Sequence, residues 1–465
     1  SATMSPRSTP LRPAESFLPE AVCGAIGGGH LSFVVAFYFL MIALPIHFNV
    51  GPIFMTGSRA ILLATTIPLT IRLLSGQLGR VFLTDVLLLI YVCWSVMMLF
   101  VHSSSQAITI GGAYFLEVFG SYILARTFIR TPEQFRSLCY GLLAVLIFSL
   151  PFAIYETQTG RPVIPLFIDS IPGLSSHPDY SSATFGSRLG LERSQVIFGH
   201  PIHYGLFCSS LISLILVGLK GSISNTARYF FGFLISLGVV ASVSSGAVLP
   251  MFLQFFLMAW AAVFRNMPSR WIILSAIIIV CYVVVDIISN RTAIEVFLSR
   301  TALSSETAYG RIVIFRWGMV NVWDNPIFGI GLNDWVRPAW LAGSMDNFWL
   351  LLTVRYGVPG FIFMSIAYVS LIWKVARIKL DTISPVWQFR RAWVFMQIAM
   401  ILTLCTVDVW ETPLSYVFFM LGAGAWLTVA QPLGEKTAPI VTPSRRNTGN
   451  RYSRFSQIKG RRARS

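Results

Sequence analysis

Runs of about twenty apolar residues, repeated along most of the chain, leave few folds open. Inside a bilayer no water satisfies backbone N–H and C=O groups, so a span is either a helix or part of a closed barrel, and a helix needs roughly 20 residues to cross ~30 Å of hydrocarbon. Such runs occupy residues 21–45, 53–74, 81–101, 106–125, 137–155, 198–219, 229–243, 247–264, 271–289, 348–373, 392–409 and 413–430. Segments of about 10 residues with alternating polarity, the mark of a membrane barrel, do not recur. The sequence therefore predicts an all-α polytopic membrane protein of about twelve transmembrane helices. Composition agrees, because 55% hydrophobic and 12% charged residues cannot coat a water-soluble domain of 465 residues. Only Ser244-Ser245-Gly246, a small-residue turn, divides the seventh run from the eighth.

Orientation follows from where the basic residues fall. Alternate connections carry Arg72 and Arg80, then Arg126, Arg130 and Arg136, then Lys220 and Arg228, then Arg265 and Arg270, then Lys374, Arg377, Lys379, Arg390 and Arg391. The segment after Gln431 is rich in arginine, and all five lysines of the chain lie on this same side. Both termini are expected in the cytoplasm. Residues 1–20 form a polar N-terminal segment without a cleavage site of signal-peptide type, 21–430 a single transmembrane domain, and 431–465 a basic disordered tail. The net charge of +16 then reflects topology and lipid contact, and no nucleic-acid partner is expected. The tail either holds anionic headgroups or docks a cytoplasmic partner.

Several chemistries are disfavoured. All six cysteines fall within the apolar runs, so neither a disulfide framework nor a metal cluster is suggested. Histidines are scattered, and no glycine loop of phosphate-binding type points to ATP. No metal and no cofactor are expected.

Two long connections, 156–197 and 290–347, interrupt the pattern of short loops, and both fall on the outer side. Loops this long in a compact membrane protein are usually functional. Together they hold Arg161, Arg188, Arg193, Arg291, Arg300, Arg311, Arg316 and Arg337 and no lysine. Arginine grips phosphate or carboxylate with a planar fork and stays charged when partly desolvated. These arginines either bind an anionic substrate at the outer face or pair with Glu192, Glu295, Glu306, Asp324, Asp334 and lipid phosphates. Ile312, Phe315, Met319 and Val322 repeat at helical spacing, so short amphipathic helices are expected over the membrane face, roofing a cavity that contains Arg193 and Arg311.

The second long connection is ordered in motifs. Gly310-Arg311-Ile312 precedes Arg316-Trp317, then Trp323-Asp324-Asn325-Pro326-Ile327-Phe328-Gly329-Ile330-Gly331, then Asp346-Asn347-Phe348-Trp349-Leu350, then Arg355-Tyr356-Gly357-Val358-Pro359-Gly360. Arg193-Ser194-Gln195-Val196-Ile197-Phe198-Gly199-His200-Pro201 lies upstream, just before a span. The set resembles the signature of the O-antigen ligase and Wzy-type polysaccharide polymerase superfamily. Ligases of that family generally carry His where this chain has Asp346, and the Asp-Asn version looks like its exopolysaccharide-production polymerase branch.

The resemblance implies a glycosyltransferase of the bacterial cytoplasmic (inner) membrane, working on the periplasmic side without ATP or metal. Such an enzyme moves glycan from a polyprenyl-diphosphate-linked oligosaccharide to a sugar hydroxyl. Membrane lipid and a chain-length-regulating membrane protein are the other partners it suggests. Carried onto this sequence, Arg193 and Arg311 would stabilise the departing diphosphate and Asp346 would accept the hydroxyl proton. Arg188, Arg316, Asn347, His200 and Arg337 would bind substrate.

Plainer readings stand beside these. Asp346 could cap the helix that follows it. Gly329, Gly331, Gly357 and Gly360 could serve only turns and close packing. Trp317, Trp323, Trp335, Trp340 and Trp349 could form an interfacial belt or stack on sugars. His200 and His203 could be lone polar contacts. Glu117, near mid-span, is expected to pair with Arg59. Two other functions stay open: a ligase moving finished glycan to a lipid or protein acceptor, and a lipid-linked oligosaccharide flippase or other transporter. Transporters gather polar groups at the midplane, whereas here they gather in outer loops.

Overall fold

A computed structural model describes residues 31–51, 53–176, 186–188, 190–301, 305–380, 382 and 384–429. The expected N-terminal segment 1–20, the opening residues 21–30 of the first apolar run and the basic tail 431–465 lie outside the described residues.

In chain order the helices are α1 (Phe33–Ala43), α2 (Gly57–Leu74), α3 (Leu83–His102), α4 (Ser104–Phe128), α5 (Pro132–Thr159) and α6 (Val163–Asp169). Then come α7 (Pro201–Gly218), α8 (Asn225–Ala241), α9 (Ser245–Val263), α10 (Arg270–Ile288), α11 (Ala293–Arg300) and α12 (Ser305–Asp324). The last are α13 (Phe348–Arg377), α14 (Pro385–Thr403) and α15 (Glu411–Val429), which closes with a 3-10 turn. Among the described residues, nine are 18 to 30 residues long and apolar enough to cross a bilayer: α2, α3, α4, α5, α7, α9, α10, α13 and α15. The apolar helices α1 and α8 are shorter, at 11 and 17 residues, and α14 carries Arg390 and Arg391 within its 19 residues. Each of the twelve apolar runs overlaps one of these helices.

Local chemistry explains several boundaries. α5 begins with a capping box in which Thr131 Oγ1 accepts from Gln134 N–H and Gln134 Oε1 accepts from Thr131 N–H, with Pro132 at the first helical position. It ends at Gly160 in the left-handed conformation, φ 67°. α7 packs closely on the small-residue turn between α8 and α9, where a Cβ on Gly205 would lie 2.2 Å from Ala247 Cβ and 2.4 Å from Ser242 Oγ. α4 contains a π-turn at Leu116–Gly120 that places Glu117 toward α2, where Arg59 Nε donates to Glu117 Oε1 at 2.7 Å. That is the ion pair expected from the sequence.

Three features depart from the expected pattern. First, the fold is not wholly helical. β1 (Ile46–Val50) pairs antiparallel with β2 (Ile53–Thr56), and β1 also pairs with β3 (Ser175–Ser176), giving the order β2-β1-β3. Residues 53–56 are thus strand, not the start of a span. The turn glycine Gly51 has φ 61°, in the left-handed region that a tight hairpin turn uses.

Second, α12 is not a short helix. It has 20 residues and packs on the first turns of α13 through Ile314, Val322, Leu350 and Val354. The approach is close at Gly318, where a Cβ would stand 2.6 Å from Leu350 Cδ2.

Third, α13 is broken at Gly357, with φ 74° and ψ 175°. The turn at 325–331 plugs the break. Val358 N–H donates to Pro326 O at 2.7 Å, Ile330 N–H to Val354 O at 2.9 Å and Gly331 N–H to Arg355 O at 3.0 Å. These bonds satisfy backbone groups that a broken helix leaves open. A Cβ on Gly357 would meet Ile327 O at 2.1 Å, and one on Gly329 would meet Arg355 O at 2.4 Å. Gly329 and Gly357 therefore serve this backbone-to-backbone contact, whereas Gly331 faces the His102 side chain and Gly360 the Tyr356 and Trp94 side chains.

Candidate functional site

The segment Arg193 belongs to has little freedom. Glu192 N–H donates to Thr157 O at 3.0 Å, and Ser194 N–H donates to Ala241 O at 3.1 Å. Ser194 Oγ donates to Ala153 O at 2.6 Å. The buried carboxylate of Glu156 accepts from Gln195 N–H and Val196 N–H, each at 3.1 Å. Val196 sits at φ 55°, a region that β-branched residues avoid at a cost of about 1–3 kcal/mol. The end of α5 therefore holds a strained loop in one shape and fixes where the Arg193 side chain starts.

Arg311 comes from α12. Its Nη1 donates to Thr301 Oγ1 at 3.2 Å and its Nη2 to Ser245 Oγ at 3.3 Å, and only 6% of the residue is exposed. Among the described residues neither Arg311 Nε nor Arg193 Nε has a hydrogen-bond partner. Burial lowers both guanidiniums. Arg193 falls to about 10, with Arg188 acting in the same direction and Asp346 against it. Arg311 is also lowered, again with Asp346 opposing and Arg188 reinforcing.

Asp346 joins these arginines. Its side chain is exposed, and the protein packed beside it raises its acid above the ordinary carboxylate range. Arg311, Arg193 and Arg188 pull it back down, in that order of strength. Among the described residues no hydrogen bond or ion pair engages its side chain. The helix cap is the neighbouring residue: Asn347 Oδ1 accepts from Leu350 N–H at 3.0 Å. Of the two readings of Asp346, the capping one fails, and Asn347, expected to bind substrate, spends its side-chain oxygen on the cap.

His200 lies within electrostatic reach of Arg193 and Arg188. Burial, then His203 and the arginines, drive it down to about 3, so it is neutral at physiological pH. Its Nδ1 accepts from Ile202 N–H at 3.1 Å and caps α7. The two remaining arginines of the predicted set are engaged elsewhere. Arg316 makes a two-pronged pair with Glu295, Nε to Oε1 at 2.5 Å and Nη2 to Oε2 at 3.1 Å. Arg337 pairs with Asp334, donates to Leu341 O and Trp335 O, and lies over the Trp335 ring. Both order the connection between α10 and α13, as their alternative reading supposed.

Beside the arginine cluster lies a cavity of about 460 Å³. α2, α4, the first turns of α13 and the segment entering α15 enclose it. Arg59, Glu117, Arg355, Asp408, Trp410 and Glu411 supply its polar lining. The two sites share a wall. Asp346 acts electrostatically on Asp408, His203 Nε2 lies 3.2 Å from Asp408 O, and the His203 and Trp410 rings meet at 4.2 Å between centroids. Sequence reading paired Glu117 with Arg59 but gave no role to Arg355, Trp410 or Glu411. Arg355 stands inside a quoted motif, whereas nothing marks Trp410 and Glu411 except their place after Asp408. Among the described residues no group of three or more His, Cys, Asp or Glu side chains is placed to hold a metal ion.

This is a multi-pass membrane protein in which three arginines, from the segments that join apolar helices, act electrostatically on one carboxylate, Asp346. Residues 230–365 match the family model described as Wzy_C, O-antigen ligase, and the match supports the O-antigen ligase and Wzy superfamily for this chain. The matched stretch runs from α8 to past the break in α13; it includes Arg311 and Asp346, and Arg193 precedes it. In general terms the family brings a membrane glycosyltransferase-like activity of glycan ligase or polymerase type. No curated protein matches the chain.

Proposed function

We propose that the protein is a polysaccharide polymerase that joins polyprenyl-diphosphate-linked oligosaccharide repeat units at the outer face of the bacterial cytoplasmic membrane. The twelve-span reading, with both termini inside, has the 156–197 and 290–347 connections on that face, and the basic residues of the alternate connections support it. The acceptor hydroxyl attacks the sugar carbon bonded to the diphosphate. The new glycosidic bond forms as the carbon–oxygen bond to the diphosphate breaks, and the hydroxyl proton passes to Asp346. Negative charge grows on the departing diphosphate, where Arg193 and Arg311 offer guanidinium forks and Arg188 adds positive potential.

The observation that carries this reading is Asp346. It has three arginines in electrostatic reach and no cap duty, because Asn347 performs it. An acid held that way can take a proton. The energy lies in the donor's own bond, so the protein supplies position and charge stabilisation. A ligase reading is favoured by the description of the matching family, and it uses the same donor site with a different acceptor.

Purified protein in lipid nanodiscs, given polyprenyl-diphosphate-linked repeat units, separates the two. A ladder of products rising by one unit is expected. A single transfer to an added lipid or protein acceptor, without a ladder, would make the protein a ligase. Intact donor after long incubation would refute both.

A further inference from the structure

The 460 Å³ cavity has a chemistry opposite to that of the arginine cluster. Its polar wall holds three carboxylates, Glu117, Asp408 and Glu411, against two guanidiniums, Arg59 and Arg355. The carboxylates outnumber the guanidiniums by one, so the cavity offers a diphosphate no net positive site. Lipid tails are excluded as well, since every one of these charges would be desolvated against hydrocarbon. Its volume falls in the range of small-molecule sites, roughly 300–1,000 Å³.

The charges divide into two kinds. Arg59 belongs to the scaffold: Nε donates to Glu117 Oε1 at 2.7 Å, Nη1 donates to Phe54 O at 3.2 Å, and Nη2 stands 3.7 Å from Glu411 Oε1. Arg355 and Asp408 differ. They act on each other electrostatically, and among the described residues neither is in an ion pair; Asp408 accepts from Val409 N–H and Arg355 hydrogen-bonds the Tyr356 side chain. A planar cation and a carboxylate on the wall of one cavity suit a ligand that carries several hydroxyls, each both donor and acceptor. Trp410 adds an aromatic surface, 43% exposed, with His203 against the ring. The cavity also has the right position, since Arg355 lies eight residues along α13 from its cap Asn347, about 12 Å at the rise of a helix.

We propose that this cavity is the subsite for a neutral saccharide unit of the acceptor glycan, stacked on Trp410 and hydrogen-bonded by Arg355 and Asp408. This deepens the polymerase reading and rests on it for the word acceptor alone. Donor diphosphate and acceptor sugar then occupy adjoining sites of opposite charge, with Asp346 between them.

The probe is oligosaccharide released from the host's lipid-linked pool by mild acid, so that it carries no diphosphate, radiolabelled and dialysed to equilibrium against the full chain in nanodiscs. Trp410→Ala and Arg355→Gln should each weaken binding about tenfold. Arg311→Ala should leave it unchanged while losing polyprenyl diphosphate, which the two cavity variants should still bind. Trp410→Phe keeps a stacking face and should restore most of the affinity; it replaces the alanine variant if that protein elutes as aggregate. Three results would overturn the subsite: no binding of the oligosaccharide, binding indifferent to both cavity substitutions, or binding lost in Arg311→Ala. The two readings fail separately. Cavity-dependent binding without a product ladder would remove the polymerase and keep the subsite, and a ladder with indifferent cavity variants would do the reverse.

Discussion

At the scale of single residues, adjacent side chains divide the work in ways their types alone do not disclose. Asp and Asn are both good helix caps, and the chain offers them side by side at positions 346 and 347. The structure assigns the cap to Asn347 and leaves Asp346 facing the arginines. That division was not legible in the sequence, because the choice depends on which backbone N–H the incoming chain presents. The Arg59–Glu117 pair was legible, since a mid-span charge needs a partner.

Two predictions belong here. Arg193→Ala and Arg311→Ala should each lower polymer formation about 10²–10³-fold, with normal expression. Lysine at either position should restore little, because a point charge cannot reproduce a fork; recovery above half the normal rate would mean that charge alone suffices. The second concerns pH. A base must be ionised to work, and the acid of Asp346 is raised in the fold, so the rate should fall on acidification from a pH above the usual carboxylate value of about 4. Asp346→Asn should lose about 10²–10⁴-fold, and its residual rate should lack this acidic limb. An unaltered limb would move the base elsewhere.

At the scale of elements, the spans were easy to read and the insertions between them were not. Twenty apolar residues announce a membrane helix whatever surrounds them. A strand of four residues, Ile53–Thr56, merges with the apolar run behind it, and only pairing with Ile46–Val50 distinguishes it. The turn at 325–331 and the break at Gly357 were each visible as glycine motifs, but their mutual contact is a tertiary fact. The clamp on the Arg193 segment is of the same kind, since Glu156 sits at the end of one predicted span and its partners lie forty residues on. Glu156→Gln keeps the shape but turns an amide N–H toward one of the two backbone donors. Turnover should drop about tenfold or more, and combination with Arg193→Ala should add little, since both act through one guanidinium. Full additivity in that double-mutant cycle would show that Glu156 acts on something other than Arg193.

At the scale of the whole molecule, the cavity was the feature furthest from sequence reading. Its lining is drawn from positions near 54, 59, 110, 355 and 410, which no local pattern links. The proposed orientation is open to a direct check. Single cysteines at Thr159 and Ser344, both exposed, should react with an impermeant maleimide in intact cells, and a cysteine at Gln77 should react only after permeabilisation. Labelling of the Gln77 position from outside would invert the topology.

The central claim is that side chains of this protein act on a bond already activated in the donor. The measurement closest to it is release of polyprenyl diphosphate from lipid-linked repeat units by the purified chain, with nucleotide absent and a chelator present. The expected result is one diphosphate released for each unit added to the product, at the same rate with and without chelator, and almost none from Arg311→Ala. Release that stops with the chelator, or continues undiminished in Arg311→Ala, would contradict it.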